Sequence, residues 1–178
     1  MKKIIIVGPG AAGKDHLANM LAARGYSRAV SCTTRPMRAG EEAGEAYHFI
    51  STVEFENAIH NGEFREWYSF GDQEWLYGTL ETEFKKCDLF IMSPPVLPSL
   101  GAAINDFTVV FLNVPEAIRC LRMTLRADAD SVGRRLEADA HDFRDFKTFD
   151  VEITSPDFTV DDVLAAVEDH RRALDGLD

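Results

Sequence analysis

Residues 3–15 constrain this chain more than any other stretch. Lys3–Val7 is a β-branched apolar run, the mark of a buried strand. Gly8-Pro9-Gly10-Ala11-Ala12-Gly13-Lys14-Asp15 follows at once. Apolar residues at helical spacing then continue (Leu17, Met20, Leu21), closed by Gly25. A buried strand, a glycine-rich turn of the form GxxxxGK and a helix form a loop whose backbone N–H groups converge on phosphate oxygens. The helix start adds a favourable dipole, and Lys14 adds a point charge for the β- and γ-phosphates. Gly8 to His16 are therefore the candidate nucleotide-phosphate cradle, with Lys14 the candidate catalytic cation.

Position 15 departs from the usual motif, which has Ser or Thr after the lysine. A carboxylate there is a good Mg²⁺ ligand, since hard cations prefer oxygen, so Asp15 is the candidate metal ligand. The alternative is that Asp15 only caps the first helical turn, where anions are favoured.

Strands continue to alternate with helices along the 178 residues, which predicts one α/β domain with a parallel sheet. Residues 51–54 (Ser-Thr-Val-Glu) form a capping box ahead of a helix ending near Gly62. Residues 63–77 are rich in aromatics and read as a hairpin, with Phe64, Trp67, Phe70 and Trp75 expected in a local core. Residues 89–92 and 107–114 read as further buried strands, residues 116–125 and 132–146 as helices, and Thr159 as the cap of a closing helix. Residues 33–78 break this rhythm and read as a β-rich insertion, dividing the core into 1–32 and 79–178.

Asp plus Glu number 30 against 19 Lys plus Arg, a net charge of −11, which disfavours a broad polyanion-binding face and hence a nucleic-acid partner. The apolar runs are too short to span a membrane and no cleavable leader is read at the start. Three cysteines without CxxC spacing argue against disulfide or zinc frameworks and for a reducing, cytoplasmic setting. The five histidines stand without partners at ligand spacing.

Residues 30–79 carry a resemblance. Ser31, Thr33-Thr34-Arg35, Arg38, Gly40-Glu41, Gly44 and Tyr47 stand in the order and spacing of the guanylate kinase signature. Gly62-Glu63-Phe64-Arg65-Glu66-Trp67 and Tyr77-Gly78-Thr79 continue it. The chain thus resembles the guanylate kinases, and the resemblance implies a P-loop nucleoside monophosphate kinase fold. That fold has a three-layer core with a parallel sheet, a small inserted β/α acceptor region and a short lid near residues 122–135. It implies ATP and Mg²⁺, small-molecule nucleotides as partners, and phosphoryl transfer to GMP or dGMP.

It also implies roles residue by residue. Arg35, Arg38, Tyr47 and Tyr77 hold the acceptor phosphate; two guanidinium forks and two phenols suit a dianion. Ser31, Glu66, Gly78 and Thr79 form the guanine site, in which a carboxylate accepts from N1–H and the 2-amino group. Arg122 and Arg126, with Arg135, neutralise the transferring phosphoryl group. For Arg122 and Arg126 the alternative is plain i,i+4 surface pairing with Asp128 or Glu116.

The pattern has one gap. Family members carry Asp-x-Asp at the end of the strand that here runs over residues 89–92, where this chain has Met92-Ser93-Pro94-Pro95. Gly13-Lys14-Asp15 and this gap resemble the ribose 1,5-bisphosphate phosphokinases instead. Two alternatives therefore accompany the guanylate kinase reading: a kinase acting on ribose 1,5-bisphosphate or another dNMP, and a non-catalytic binding module. The intact Gly13-Lys14 disfavours the latter.

Overall fold

The computed structural model describes residues 3–70, 75–125 and 131–176. Its order is β1 (Lys3–Val7), α1 (Lys14–Ala22), β2 (Cys32–Thr33), β3 (His48–Phe49), α2 (Thr52–His60), β4 (Phe64–Phe70), β5 (Trp75–Leu80), α3 (Glu81–Lys86) and β6 (Leu89–Ile91). A 3-10 segment (Pro94–Asp106), β7 (Phe107–Leu112), α4 (Glu116–Leu125), α5 (Val132–Asp142), β8 (Val151–Ile153) and α6 (Val160–Asp175) follow.

The core sheet has the order β6-β1-β7-β8 and every pairing in it is parallel. Its central strands are buried on both faces, as the unbroken apolar runs require. On one face Ile4 and Ile6 pack with Leu17 and Leu21 of α1 and Val163 and Val167 of α6. On the other Ile5 and Val7 pack with Val96, Leu97 and Leu100 of the 3-10 segment, backed by Phe84 and Phe143. Helices on both faces of a parallel sheet make three layers.

A second sheet, β3-β2-β5-β4, is built wholly between Cys32 and Leu80. It is mixed, with β2 parallel to β3 and antiparallel to β5. Helix α2 covers it through Phe55, which is fully buried and stacks on Phe64 with ring centroids 4.4 Å apart. The Ser51–Glu54 capping box forms as the sequence predicts.

Three expectations are corrected. Trp67 is 47% exposed rather than in the core: alternation along β4 turns Glu66 and Tyr68 to one side and Trp67 to the other. The expected helix over 132–146 stops at Asp142, because the chain turns through Asp145 at φ 59°. The loop marked by Pro94, Pro95 and Pro98 and the short helix expected over residues 100–104 are instead 3-10 turns over Pro94–Asp106, broken at Gly101. Among the described residues no helix is long and apolar enough to cross a membrane.

Candidate active site

The glycine loop joins the carboxyl end of β1, an interior strand of the core sheet, to α1. Gly13 takes φ +103°, a conformation costly for side chains with a Cβ. At Gly8 a Cβ would lie 2.9 Å from the Leu112 carbonyl oxygen, so the loop can pass β7 only without one. Lys14 folds back over the loop and donates to the carbonyls of Gly8 (2.6 Å) and Pro9 (3.0 Å). Desolvation pushes its ammonium below the ordinary lysine range. The carboxylates of Asp139 and Asp15 counter that shift, and Arg135 and Arg119 add to it.

Asp15 does not cap α1; Gly13 is the N-cap and no side chain caps it. Its exposed carboxylate instead pairs with Arg28 at 2.6 Å. That leaves a carboxylate at the mouth of the loop, a donor set that suits Mg²⁺, which is held through one or two carboxylates plus phosphates. Among the described residues no group of three or more His, Cys, Asp or Glu side chains could hold a metal by itself.

One hollow runs from the loop to the second sheet. Gly8, Gly10, Ala11, Lys14 and Asp15 line one end; Ser31, Glu66 and Gly78 line the other, with Arg35, Arg38, Tyr47 and Tyr77 on its walls and Arg135 above. The hollow thus brings together residues far apart in sequence. The hydroxyls of Ser31 and Thr79 are 3.1 Å apart, and Thr79 hydrogen-bonds Glu66 from the adjacent strand. Burial pushes the Glu66 carboxyl up to about 7, against the opposing pull of those hydrogen bonds.

The residues expected to hold the acceptor phosphate come with internal partners. Arg35 is buried and gives Nη1 and Nη2 to Glu41 at 3.0 and 2.8 Å. Its guanidinium lies 5.5 Å from the ring centroids of both Tyr47 and Phe49. The Arg38 backbone N–H also donates to Glu41, at 2.7 Å. Tyr47 and Tyr77 meet edge to face at 5.8 Å.

Arg122 is neither a surface charge nor a lining of this hollow. It donates to the carbonyls of Ala11, Ala12 and Pro156. With Gly13, His16 and Phe158 it lines a second hollow, which meets the first at Ala11. Arg126 lies outside the described residues.

The structure adds residues that sequence reasoning missed. Tyr68 and Ser93 line the hollow beside Glu66, with their hydroxyls 2.5 Å apart. Alternation from Glu66 along β4 was the available signal for Tyr68. Asp139 is buried against the loop: its carboxylate accepts the Gly10 N–H at 2.9 and 3.0 Å and pairs with Arg119 at 2.9 Å. Nothing in local spacing marks that contact, which joins residues 129 positions apart.

The guanylate kinase family model matches residues 1–89. A guanylate kinase of Symbiobacterium thermophilum is 33% identical over 184 residues, covering 96% of this chain and 83% of that protein. This chain belongs to the guanylate kinase family. A guanylate kinase of a Nostoc species is 29% identical, with 94% of this chain and 87% of that protein covered. The crystal structure of guanylate kinase from Anaplasma phagocytophilum superposes with a TM-score of 0.68 at 21% identity, over 96% of this chain and 85% of that one, and so shares the fold.

Proposed function

We propose that this chain transfers the γ-phosphoryl group of ATP to GMP or dGMP. The observation that carries the reading is the hollow joining Lys14 and the glycine loop to Ser31, Glu66 and Gly78, with the Thr79 hydroxyl 3.1 Å from that of Ser31. A donor phosphate at one end and a guanine at the other place an acceptor phosphate between them, beside Arg35, Arg38, Tyr47 and Tyr77. An oxygen of that phosphate attacks the γ-phosphorus in line; the bond to the β–γ bridging oxygen breaks, giving ADP and GDP or dGDP. No general base is needed, because the acceptor oxygen is already ionised and positioning with charge neutralisation lowers the barrier.

In this reading residues 33–78 are the acceptor-binding unit and 1–32 with 79–178 the core. Gly8 to Lys14 hold the β- and γ-phosphates, and Lys14 and Arg135 neutralise charge on the transferring group. Arg122 and His16 face the second hollow and bear on the donor's nucleoside side. Asp15 would hold Mg²⁺, which would supply charge neutralisation for the phosphoryl transfer when bound. Such nucleotide chemistry fits a protein of the cytoplasm.

Replacing Lys14 by Ala tests this directly. ATP-dependent GDP formation should fall by about 10²–10³-fold, as for loss of a preorganised transition-state charge. Turnover near that of the parent protein would overturn the assignment.

A further inference from the structure

Helix α5 touches three parts of the molecule. Arg134 near its start lies 4.8 Å from the Trp75 ring of the second sheet. Phe143, just past its end, stacks on Phe111 of β7 with ring centroids 5.6 Å apart. Between them Asp139, the one buried residue of the helix, meets the phosphate loop.

That contact is built to hold. Both carboxylate oxygens of Asp139 accept the Gly10 N–H. Oδ2 also takes Arg119 Nη1 at 2.9 Å, and Arg119 Nε donates to the Val114 carbonyl at 3.1 Å. Asp139 and Arg119 are each only 7% exposed. Replacing such a buried pair by apolar residues is often neutral or stabilising, so stability alone is a weak reason for it. What the pair does supply is orientation, a charge-assisted bond to one defined N–H of the loop.

Arg135 stands four residues before Asp139, on the same face of the helix one turn away, and lines the hollow that holds Lys14. The position of Asp139 on the loop therefore sets the position of Arg135 over it. We propose that Asp139 is a positioning residue for phosphoryl transfer: by gripping Gly10 and Arg119 it fixes the phosphate loop and Arg135 in one frame. This rests on the kinase reading. It gives the helix a role in the chemistry beyond carrying an arginine.

The test compares the parent protein with Asp139→Asn and Asp139→Ala. It measures kcat, KM for ATP and GMP, the Kd of a non-hydrolysable ATP analogue, and the melting temperature. Asp139→Ala should lose about tenfold or more in kcat, with KM for GMP within about threefold, because the acceptor site stands on the other sheet. Its grip on the analogue should weaken. Asp139→Asn should recover part of kcat, because the amide oxygen still accepts the Gly10 N–H while the negative charge that Arg119 pairs with is lost. If the alanine variant does not fold, the nearly isosteric asparagine decides.

Parent-like kcat in Asp139→Asn together with Asp139→Ala, or in the asparagine variant alone when alanine does not fold, would overturn the proposal, leaving the pair a packing feature. Tighter analogue binding in either variant would also overturn it, by making the carboxylate a competitor for the phosphate site. A parent protein that forms no GDP from ATP and GMP would sink the kinase reading instead, which separates the two failures.

Discussion

Glu41 holds one edge of the Arg35 guanidinium in a two-pronged pair at 2.8 and 3.0 Å, and the same carboxylate accepts the Arg38 backbone N–H. Desolvation alone would raise the Glu41 carboxyl. The Arg35 and Arg38 contacts outweigh it and hold it below the usual carboxylate range. One acid thus holds the side chain of Arg35 and the backbone of Arg38 on the wall of the proposed acceptor site.

Glu41→Ala should therefore raise KM for GMP by about tenfold or more while changing kcat less. The guanidinium keeps its charge and loses its aim. It should also destabilise the fold by about 3 kcal/mol, since Arg35 is left buried without its partner. Steady-state kinetics and chemical denaturation on one preparation check both. An unchanged KM would remove Glu41 from the acceptor site.

Asp15 separates two roles by where its loss is felt. Its pair with Arg28 is largely solvated on the carboxylate side, so Asp15→Ala should cost no more than about 1 kcal/mol in stability. If the carboxylate ligates Mg²⁺, the Mg²⁺ concentration for half-maximal rate should rise about tenfold, with KM for GMP nearly fixed. An unmoved Mg²⁺ titration would leave Asp15 as the partner of Arg28 alone.

Glu66 predicts a pH dependence whose sign follows from its direction of shift. Its folded-state value of about 7 lies above the ordinary one of 4.5, so folding favours the protonated acid. The associated stability is fully present below pH 4.5 and is lost as pH rises through 7. Glu66→Gln should therefore stabilise the unliganded protein at pH 8 by up to about 3 kcal/mol and do almost nothing at pH 4. Melting curves at the two pH values check this. Equal effects at both would contradict the raised value.

Binding runs the other way. Only the ionised carboxylate accepts two guanine N–H groups, so GMP affinity should rise from pH 6 to 8 in the parent protein beyond the rise seen in Glu66→Gln. The phosphate of GMP titrates in both, and the difference isolates Glu66.

Much of this architecture was legible in the chain. The run Lys3–Val7 with Gly8 to Lys14 after it fixed a strand, loop and helix, because burial on both faces and glycine punctuation are local properties. Ser51 and Thr159 marked helix starts through capping boxes that formed. The resemblance assigns Ser31, Glu66 and Thr79 to one site; the strand pairing sets Glu66 and Thr79 side by side as register partners across β4 and β5.

What was not legible is non-local. Asp139 looked like any acid on an amphipathic helix; only packing α5 onto the loop makes it a ligand of Gly10. The resemblance put Arg122 among the lid arginines, yet in the fold the carbonyls of Ala11 and Pro156 take its donors. Trp67 was read from composition as core, when alternation on β4 already turned it outward.

The choice of acceptor tests the central claim most directly. Guanine offers N1–H and a 2-amino group on one edge, and Glu66 can accept both; adenine offers a lone pair there and leaves the carboxylate unpaired. The measurement is kcat/KM for GMP, dGMP, AMP and ribose 1,5-bisphosphate on the parent protein and on Glu66→Gln. GMP or dGMP should exceed AMP by up to about 10⁴-fold, and Glu66→Gln should shrink that ratio mainly by slowing GMP. A parent protein that prefers ribose 1,5-bisphosphate, with Glu66→Gln indifferent to it, would contradict the assignment and make Glu66 a structural carboxylate of the second sheet.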